Sequence, residues 1–317
     1  VDGTRLSLGL ALGGPSRSRL GRPDSALQWI DRAESLGLHS AWVPEMHFAP
    51  GVTASPLLLL AAYAARSRRL RLGTTSLLLP IHDPDRLASE IAALDRRTGG
   101  RLILGLGRGF RRPLFEAFGV DAAAKRDRFD AALDRILERW RRDYAPRQVP
   151  HPPLAVAAFG PKGLAQAARR GLPYLASPVE PIDQIEENQA RHAEGLPDST
   201  DAASLPVPIM RSAFVAADDR EAARVRASLE SEARGVRGRV PASLARAAES
   251  DLHDRVLVGT ASEVRDRLAR WCERVAIDLL IVRIPEAGLE SGARVGGLER
   301  LAELVEGFSP PARRGAS

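Results

Sequence analysis

Leu70-Arg-Leu-Gly-Thr-Thr-Ser-Leu-Leu-Leu79, then Asp83-Pro-Asp-Arg-Leu-Ala-Ser-Glu-Ile-Ala-Ala-Leu-Asp-Arg-Arg97, then Leu102-Ile-Leu-Gly-Leu106: a short apolar run, a longer amphipathic segment, and a second short apolar run. Strands alternating with helical segments of this length argue for β/α units and a parallel sheet. Asp83-Pro84 places a capping side chain before a proline suited to the first helical position, and Ser55-Pro56 repeats the arrangement upstream.

The same alternation runs from end to end. Working outward, eight strand candidates are found: Leu6–Leu12, Ser40–Val43, Leu70–Leu79, Leu102–Leu106, Leu154–Ala158, Tyr174–Ser177, Val207–Ala216 and Ile277–Ile284. Phe129, Ala132, Leu133, Ile136, Leu137 and Trp140 share one helical face, which should lie on the barrel. Thr260-Ala-Ser-Glu263 has the spacing of a capping box. The architecture expected is α/β, a (β/α)8 TIM-type barrel forming one domain over residues 1–308, with an insertion before the last strand. Residues 309–317 are expected to be a flexible tail. The polar, arginine-rich stretch Glu230–Val256 reads either as a mobile lid or as an extra surface helix, and Gly195–Leu205 as a surface loop.

Composition narrows the function classes. A hydrophobic fraction of 44% and a charged fraction of 27% are those of a globular protein with ample core. The single cysteine, Cys272, excludes an internal disulfide, leaves no cysteine cluster for a metal, and reads as a buried thiol. No apolar run is long enough to span a bilayer and no signal-peptide pattern opens the chain, so a cytoplasmic protein with no membrane partner is expected. The net charge of +6 is spread among acidic residues, as in Arg126-Asp127-Arg128, which speaks for a mixed solvated surface and against nucleic acid. Lysine occurs only at Lys125 and Lys162.

In such barrels the polar residues just past the C-terminal strand ends carry chemistry. Four ends stand out: Glu45-Met46-His47-Phe48 after strand two, Thr74-Thr75-Ser76 in strand three, Gly107-Arg108-Gly109 after strand four, and Ala158-Phe159-Gly160-Pro161-Lys162-Gly163 after strand five. A glycine-rich turn feeding a helix exposes N–H groups toward an anion, to which Lys162 and Arg108 would add charge. Each turn taken alone is equally an ordinary strand-to-helix connection. Glu45 and His47 read either as an acid/base pair or as side chains satisfying loop backbone. His39, His151, His192 and His253 fall in turn or surface positions, and no converging metal ligands are found.

These strand ends, in this order, resemble the bacterial-luciferase-like family of flavin-dependent monooxygenases. Leu70-Arg-Leu-Gly-Thr74, Leu79-Pro80, Pro84-x-Arg86, Leu94-Asp95, Gly100-Arg101 and Phe118-Gly119 carry the likeness, continued by Gly171-Leu-Pro173 and Val258-Gly-Thr260. The resemblance implies a flavin in the barrel mouth: reduced FMN from a separate flavin reductase, used with O2 to oxidise a small organic substrate. One branch of the family uses a deazaflavin instead. Carried over, Arg108 is the phosphate-binding arginine; Ala158, Phe159, Gly160, Lys162 and Gly163 form the phosphate turn; Glu45, Thr75, Ser76 and Ser177 lie at the ring. The Thr75-Ser76 bond is often cis in the family. It also implies a homodimer, through the helices after strands two and three, where Leu57–Ala65 offers an apolar surface. Three departures matter: Met46 replaces the first of the family's two histidines, leaving His47 as the proton-transfer candidate; Gly107 stands where luciferase has a reactive cysteine; and Phe159 and Gly160 replace polar phosphate contacts, for which Lys162 would compensate. The alternative readings are a deazaflavin-dependent oxidoreductase and, with Met46 in that place, a non-catalytic flavin-binding subunit.

Overall fold

The computed structural model describes residues 6–13, 23–49, 51–236, 249–286 and 289–311. The strands described are β1 Ser7–Ala11, β2 Ser40–Val43, β3 Arg71–Leu78, β4 Leu102–Gly107, β5 Leu154–Ala157, β6 Tyr174–Leu175, β7 Pro208–Val215, β8 Val256–Gly259 and β9 Leu279–Arg283. The helices described are α1 Pro23–Ser35, α2 Pro56–Arg66, α3 Pro84–Arg97, α4 Arg112–Ala117, α5 Lys125–Arg142, α6 Pro161–Ala168, α7 Ile182–Glu194, α8 Asp219–Val236, α9 Ala261–Arg274 and α10 Ser291–Glu306. The chain divides into two compact units, Leu12–Ala157 and the segments Val1–Ala11 with Ala158–Ser317.

In Leu12–Ala157 the parallel strands lie in chain order, β2 beside β3, β3 beside β4 and β4 beside β5. Every residue of β2 and β4 is buried, the pattern of a parallel sheet covered on both faces. Gly73 makes room for this packing, because a Cβ there would sit 2.2 Å from the Trp42 ring. The face of α5 expected to pack inward does so through Phe129, Ala132, Leu133, Ile136 and Trp140, whose indole donates to Ala88 O. Asp83 caps α3 by accepting from Arg86 N at 2.8 Å, whereas Ser55 makes no side-chain cap to α2, correcting the expectation for that position. The Leu94-Asp95 and Gly100-Arg101 pairs are structural. Buried Asp95 holds Gln148 through its N–H and its amide, and the Arg101 guanidinium donates to the carbonyls of Ser67, Leu70 and Thr98.

In the second unit β1 pairs with β9, β9 with the first half of β7, and the second half of β7 with β8. A single bridge, Ala176↔Ile209, ties the end of β6 to β7. β8 is absent from the eight strand candidates and begins at the end of the Glu230–Val256 stretch; α8, a 3-10 turn at Leu252–Asp254, β8 and α9 occupy the described part of the region before the last strand. Residues 237–248 of the lid-or-helix stretch and residues 312–317 of the tail lie outside the described residues. Thr260 N donates to Glu263 Oε2 at 2.9 Å, as the capping spacing requires. Cys272 is buried, and so is His192, expected in a turn or at the surface but found within α7 with its ring hydrogen-bonded to Leu172 O. Among the described residues no helix is long and apolar enough to cross a membrane, and no His/Cys/Asp/Glu group could hold a metal ion.

Candidate active site

Strand β2 delivers Glu45 as a carboxylate with 0% of its side chain exposed. A charge so placed is costly unless donors surround it, and three do. Leu78 N donates to Oε2 at 2.7 Å, and Nε2 of both His47 and His82 lies 2.9 Å from Oε1. A carboxylate only accepts, so each of these nitrogens carries a proton toward it. The pairing of Glu45 with His47 expected from the sequence is present. His82, 37 residues further on, was missed. Its only signal in the sequence is a position just beyond the C-terminal end of β3.

Around this group the chain is closely tied. Glu45 N reaches Ser76 O at 3.3 Å and Met46 N donates to Thr53 O at 2.8 Å. The His47 ring stands edge-on to Phe118, 5.0 Å between centroids, and beside Phe48, whose φ of 60° is left-handed. The Thr75-Ser76 peptide bond is cis, and the β3–β4 register shifts there. Thr75 Oγ1 is buried with no hydrogen-bond partner. A Cβ at Gly107 would lie 2.0 Å from Ser76 Oγ and 2.9 Å from Ser76 Cβ, so a larger residue there requires this serine to move.

Beyond β4, half-buried Arg108 donates to Ala157 O at 2.7 Å. Burial lowers its pKa to about 10, with Arg126 acting in the same direction and Asp130 against it. Lys125, 5.6 Å over the Phe115 ring, is also lowered, by burial and then by Arg126 and Arg108. Arg126 thus acts on both Arg108 and Lys125, and Asp130 opposes it at Arg108.

In the second unit the turn after β5 places buried Ala158 and half-buried Phe159 and Gly160 ahead of α6, whose first turn carries exposed Lys162 and buried Gly163. Gly163 N donates back to Gly160 O at 2.9 Å, so that amide is committed within the turn. Ser177, after β6, is buried; its N–H donates to Glu180 Oε2 at 2.6 Å, while Asn188 and the Tyr174 hydroxyl donate to Oε1. Arg211, fully buried and stacked 5.4 Å over Trp271, donates to the carbonyls of Ser177, Glu180 and Met210. Of this network the sequence marked only Ser177.

The family described as luciferase-like monooxygenase matches residues 6–278. The oxygenase component of the flavin-dependent trigonelline monooxygenase of Acinetobacter baylyi is 28% identical over 225 residues, which span 65% of this chain and 62% of that protein, less than two thirds of its length. The oxygenating constituent of 3,6-diketocamphane monooxygenase from Pseudomonas putida, a type II Baeyer-Villiger enzyme solved with FMN, superposes with a TM-score of 0.82 at 19% identity, over 97% of this chain and 100% of that one. The coenzyme F420 dependent tetrahydromethanopterin reductase of Methanopyrus kandleri superposes at 0.70 with 15% identity, over 95% and 99% of the two chains. These superpositions establish a shared α/β fold.

Proposed function

The chain belongs to the luciferase-like monooxygenase family, and from that premise we propose that it is the oxygenase of a two-component system, using reduced FMN and O2 to oxidise a small organic substrate. The observation that carries this reading is Thr75 Oγ1, a buried hydroxyl lacking a partner at the strand end assigned to the cofactor. Buried hydroxyls are normally paired, so a ligand atom belongs there. The residues fit a flavin in one further respect: the charge of Arg108, Lys125 and Arg126 suits a phosphate dianion. In this reading the strands close into an eight-fold β/α barrel, the architecture we take from the family.

When bound, reduced flavin supplies the electrons that activate oxygen. The protein's part is placement and proton control. Arg108 would hold the phosphate, with Lys162 and the turn Ala158–Gly163 as further anchors. Thr75, Ser76 and Ser177 would orient the ring. Glu45 holds His47 by its Nε2 proton, leaving the other ring nitrogen to give or take a proton at the substrate. A flavin reductase would act as transient partner in the cytoplasm, where reduced flavin can be delivered. The exposed side of α2, with Leu58 at 74% exposure beside Ala61, Ala62 and Ala65, is the surface we assign to a homodimer.

The test is anaerobic equilibrium binding of reduced FMN, reduced riboflavin and a reduced deazaflavin. A charge-assisted contact contributes about 1.5 to 3 kcal/mol, so FMN should bind at least about 10-fold more tightly than riboflavin, with most of the difference lost in Arg108→Ala. Equal affinity for FMN and riboflavin would remove the phosphate assignment; preference for the deazaflavin would transfer the chain to a hydride-transfer reading.

A further inference from the structure

Ser177 stands one residue beyond the reach of its own strand. β6 covers two residues, and its pairing with β7 ends with Ala176 N on Pro208 O and Met210 N on Ala176 O. The sheet therefore supplies no partner for the Ser177 backbone. Two buried charged side chains do so instead. The Ser177 N–H donates to Glu180 Oε2 at 2.6 Å, and its carbonyl accepts from Arg211 Nη1 at 2.9 Å. The N–H belongs to the rigid peptide plane before Cα and the carbonyl to the plane after it. Holding both planes fixes φ and ψ, and with them the direction of the Cα–Cβ bond. Pro178 narrows the same angles, since the residue before a proline is pushed toward extended conformations.

We infer that Glu180 and Arg211 are positioning residues that hold the Ser177 backbone so that its hydroxyl is presented as a donor to the flavin ring. The inference deepens the proposed function and rests on it for the presence of the ring. Ser177 Oγ takes one long bond, from Val179 N at 3.4 Å, and among the described residues it donates none. Its proton is thus free for a ligand acceptor.

Packing alone does not account for this arrangement. Glu180 and Arg211 are each 0% exposed, and an apolar pair of similar volume often stabilises a fold more than buried charges do. What the charges add is direction, because both are committed to the turn from Ser177 to Glu180. Arg211 Nη2 donates to Glu180 O at 2.9 Å, closing the guanidinium over the two ends of that turn. Each charged group is itself held from a neighbouring helix. Asn188 of α7 donates to Glu180 Oε1 at 2.6 Å, and the Trp271 ring of α9 lies 5.4 Å from the Arg211 guanidinium.

The experiment is a double-mutant cycle on flavin affinity, read by anaerobic equilibrium binding of reduced riboflavin and reduced FMN to the full chain. Ser177→Ala removes the hydroxyl and should weaken both flavins by the same factor, about 3-fold to 10-fold for one hydrogen bond, because the ring is common to both. Arg211→Met should weaken both by a similar factor. Arg211→Lys should do likewise, since an ammonium lacks the planar fork that spans two carbonyls. In the Ser177→Ala background neither Arg211 substitution should have a further effect. Glu180→Met removes the acceptor for Ser177 N and should lose the same factor, which Glu180→Gln, keeping an acceptor, recovers. A merely structural pair would lower affinity equally with and without the Ser177 hydroxyl. If Arg211→Met does not fold, Arg211→Lys completes the cycle. Additive losses, undiminished affinity in Ser177→Ala, or no recovery in Glu180→Gln would overturn the inference and leave the proposed function standing, since the wild type would still bind flavin. A wild type that binds neither flavin would refute both.

Discussion

Replacing Glu180 by glutamine should change the pH dependence of stability more than stability itself. Burial pushes the Glu180 carboxyl up from 4.5 to about 7, against the opposing pull of Ser177 N–H, Arg211, Tyr174 and Asn188. A displacement of about 2.5 pH units at 1.36 kcal/mol per unit amounts to on the order of 3 kcal/mol. The sign follows from proton counting. Between pH 4.5 and 7 the folded chain keeps a proton here that the unfolded chain has released, so stability is full below the unfolded value and declines as pH rises toward 7. His39 and His192 act oppositely, since burial lowers both below 6.5 and folding favours their neutral forms. The wild-type profile therefore mixes signs, and the informative quantity is the difference between wild type and variant. Urea unfolding at pH 5, 6, 7 and 8 should show wild type losing on the order of 3 kcal/mol relative to Glu180→Gln across the range, because glutamine can still accept from Ser177 N without titrating. Parallel profiles for the two proteins would refute the assignment of a protonated carboxyl at this position.

Three other outcomes are expected. Gly107→Ala forces a methyl group to 2.0 Å from Ser76 Oγ, so it should cost about 1 to 3 kcal/mol as overpacking, seen as a lowered Tm, and weaken flavin binding. His47→Gln should leave flavin affinity nearly intact while substrate oxidation falls by about 100-fold to 10,000-fold, with the oxygen consumed appearing as hydrogen peroxide; unchanged coupling across the pH range would make His47 structural. Leu58→Asp places a charge on the exposed face of α2 and should convert a dimer to monomer in sedimentation measurements at micromolar concentration, whereas an unchanged mass would remove α2 from the interface.

What could be read in advance was whatever the chain encodes locally. The alternation around Leu70–Leu106 identified β3, α3 and β4 because burial on both faces leaves nearly unbroken apolar runs, and the Asp83 and Glu263 caps follow from spacing alone. Strand β8 escaped because Val256-Leu-Val-Gly259 is four residues long and begins directly after Arg255, within a polar stretch. Its strand character comes from pairing with the far half of β7, which only the fold supplies. The resemblance marked Glu45 and Ser177 but not the groups that hold them. His82 reaches Glu45 across a strand and a turn, and Glu180 and Arg211 look like surface charges until three-dimensional packing removes their solvent. Contacts between residues distant in sequence leave no periodic trace, so this part of the site required coordinates.

The scarcity of lysine has a practical consequence. The chain's two primary-amine side chains are Lys125, packed over Phe115 near Arg108, and exposed Lys162 in the first turn of α6. Both stand where the proposed function needs positive charge. Amine-directed reagents, the usual means of attaching a dye or fixing a protein to a surface, would therefore reach side chains only at the two residues to which the proposed function gives a role in anion binding. Protection of these two amines by a phosphate-bearing ligand would be a direct footprint of occupancy, and immobilisation through them would inactivate binding in a protein that is otherwise intact.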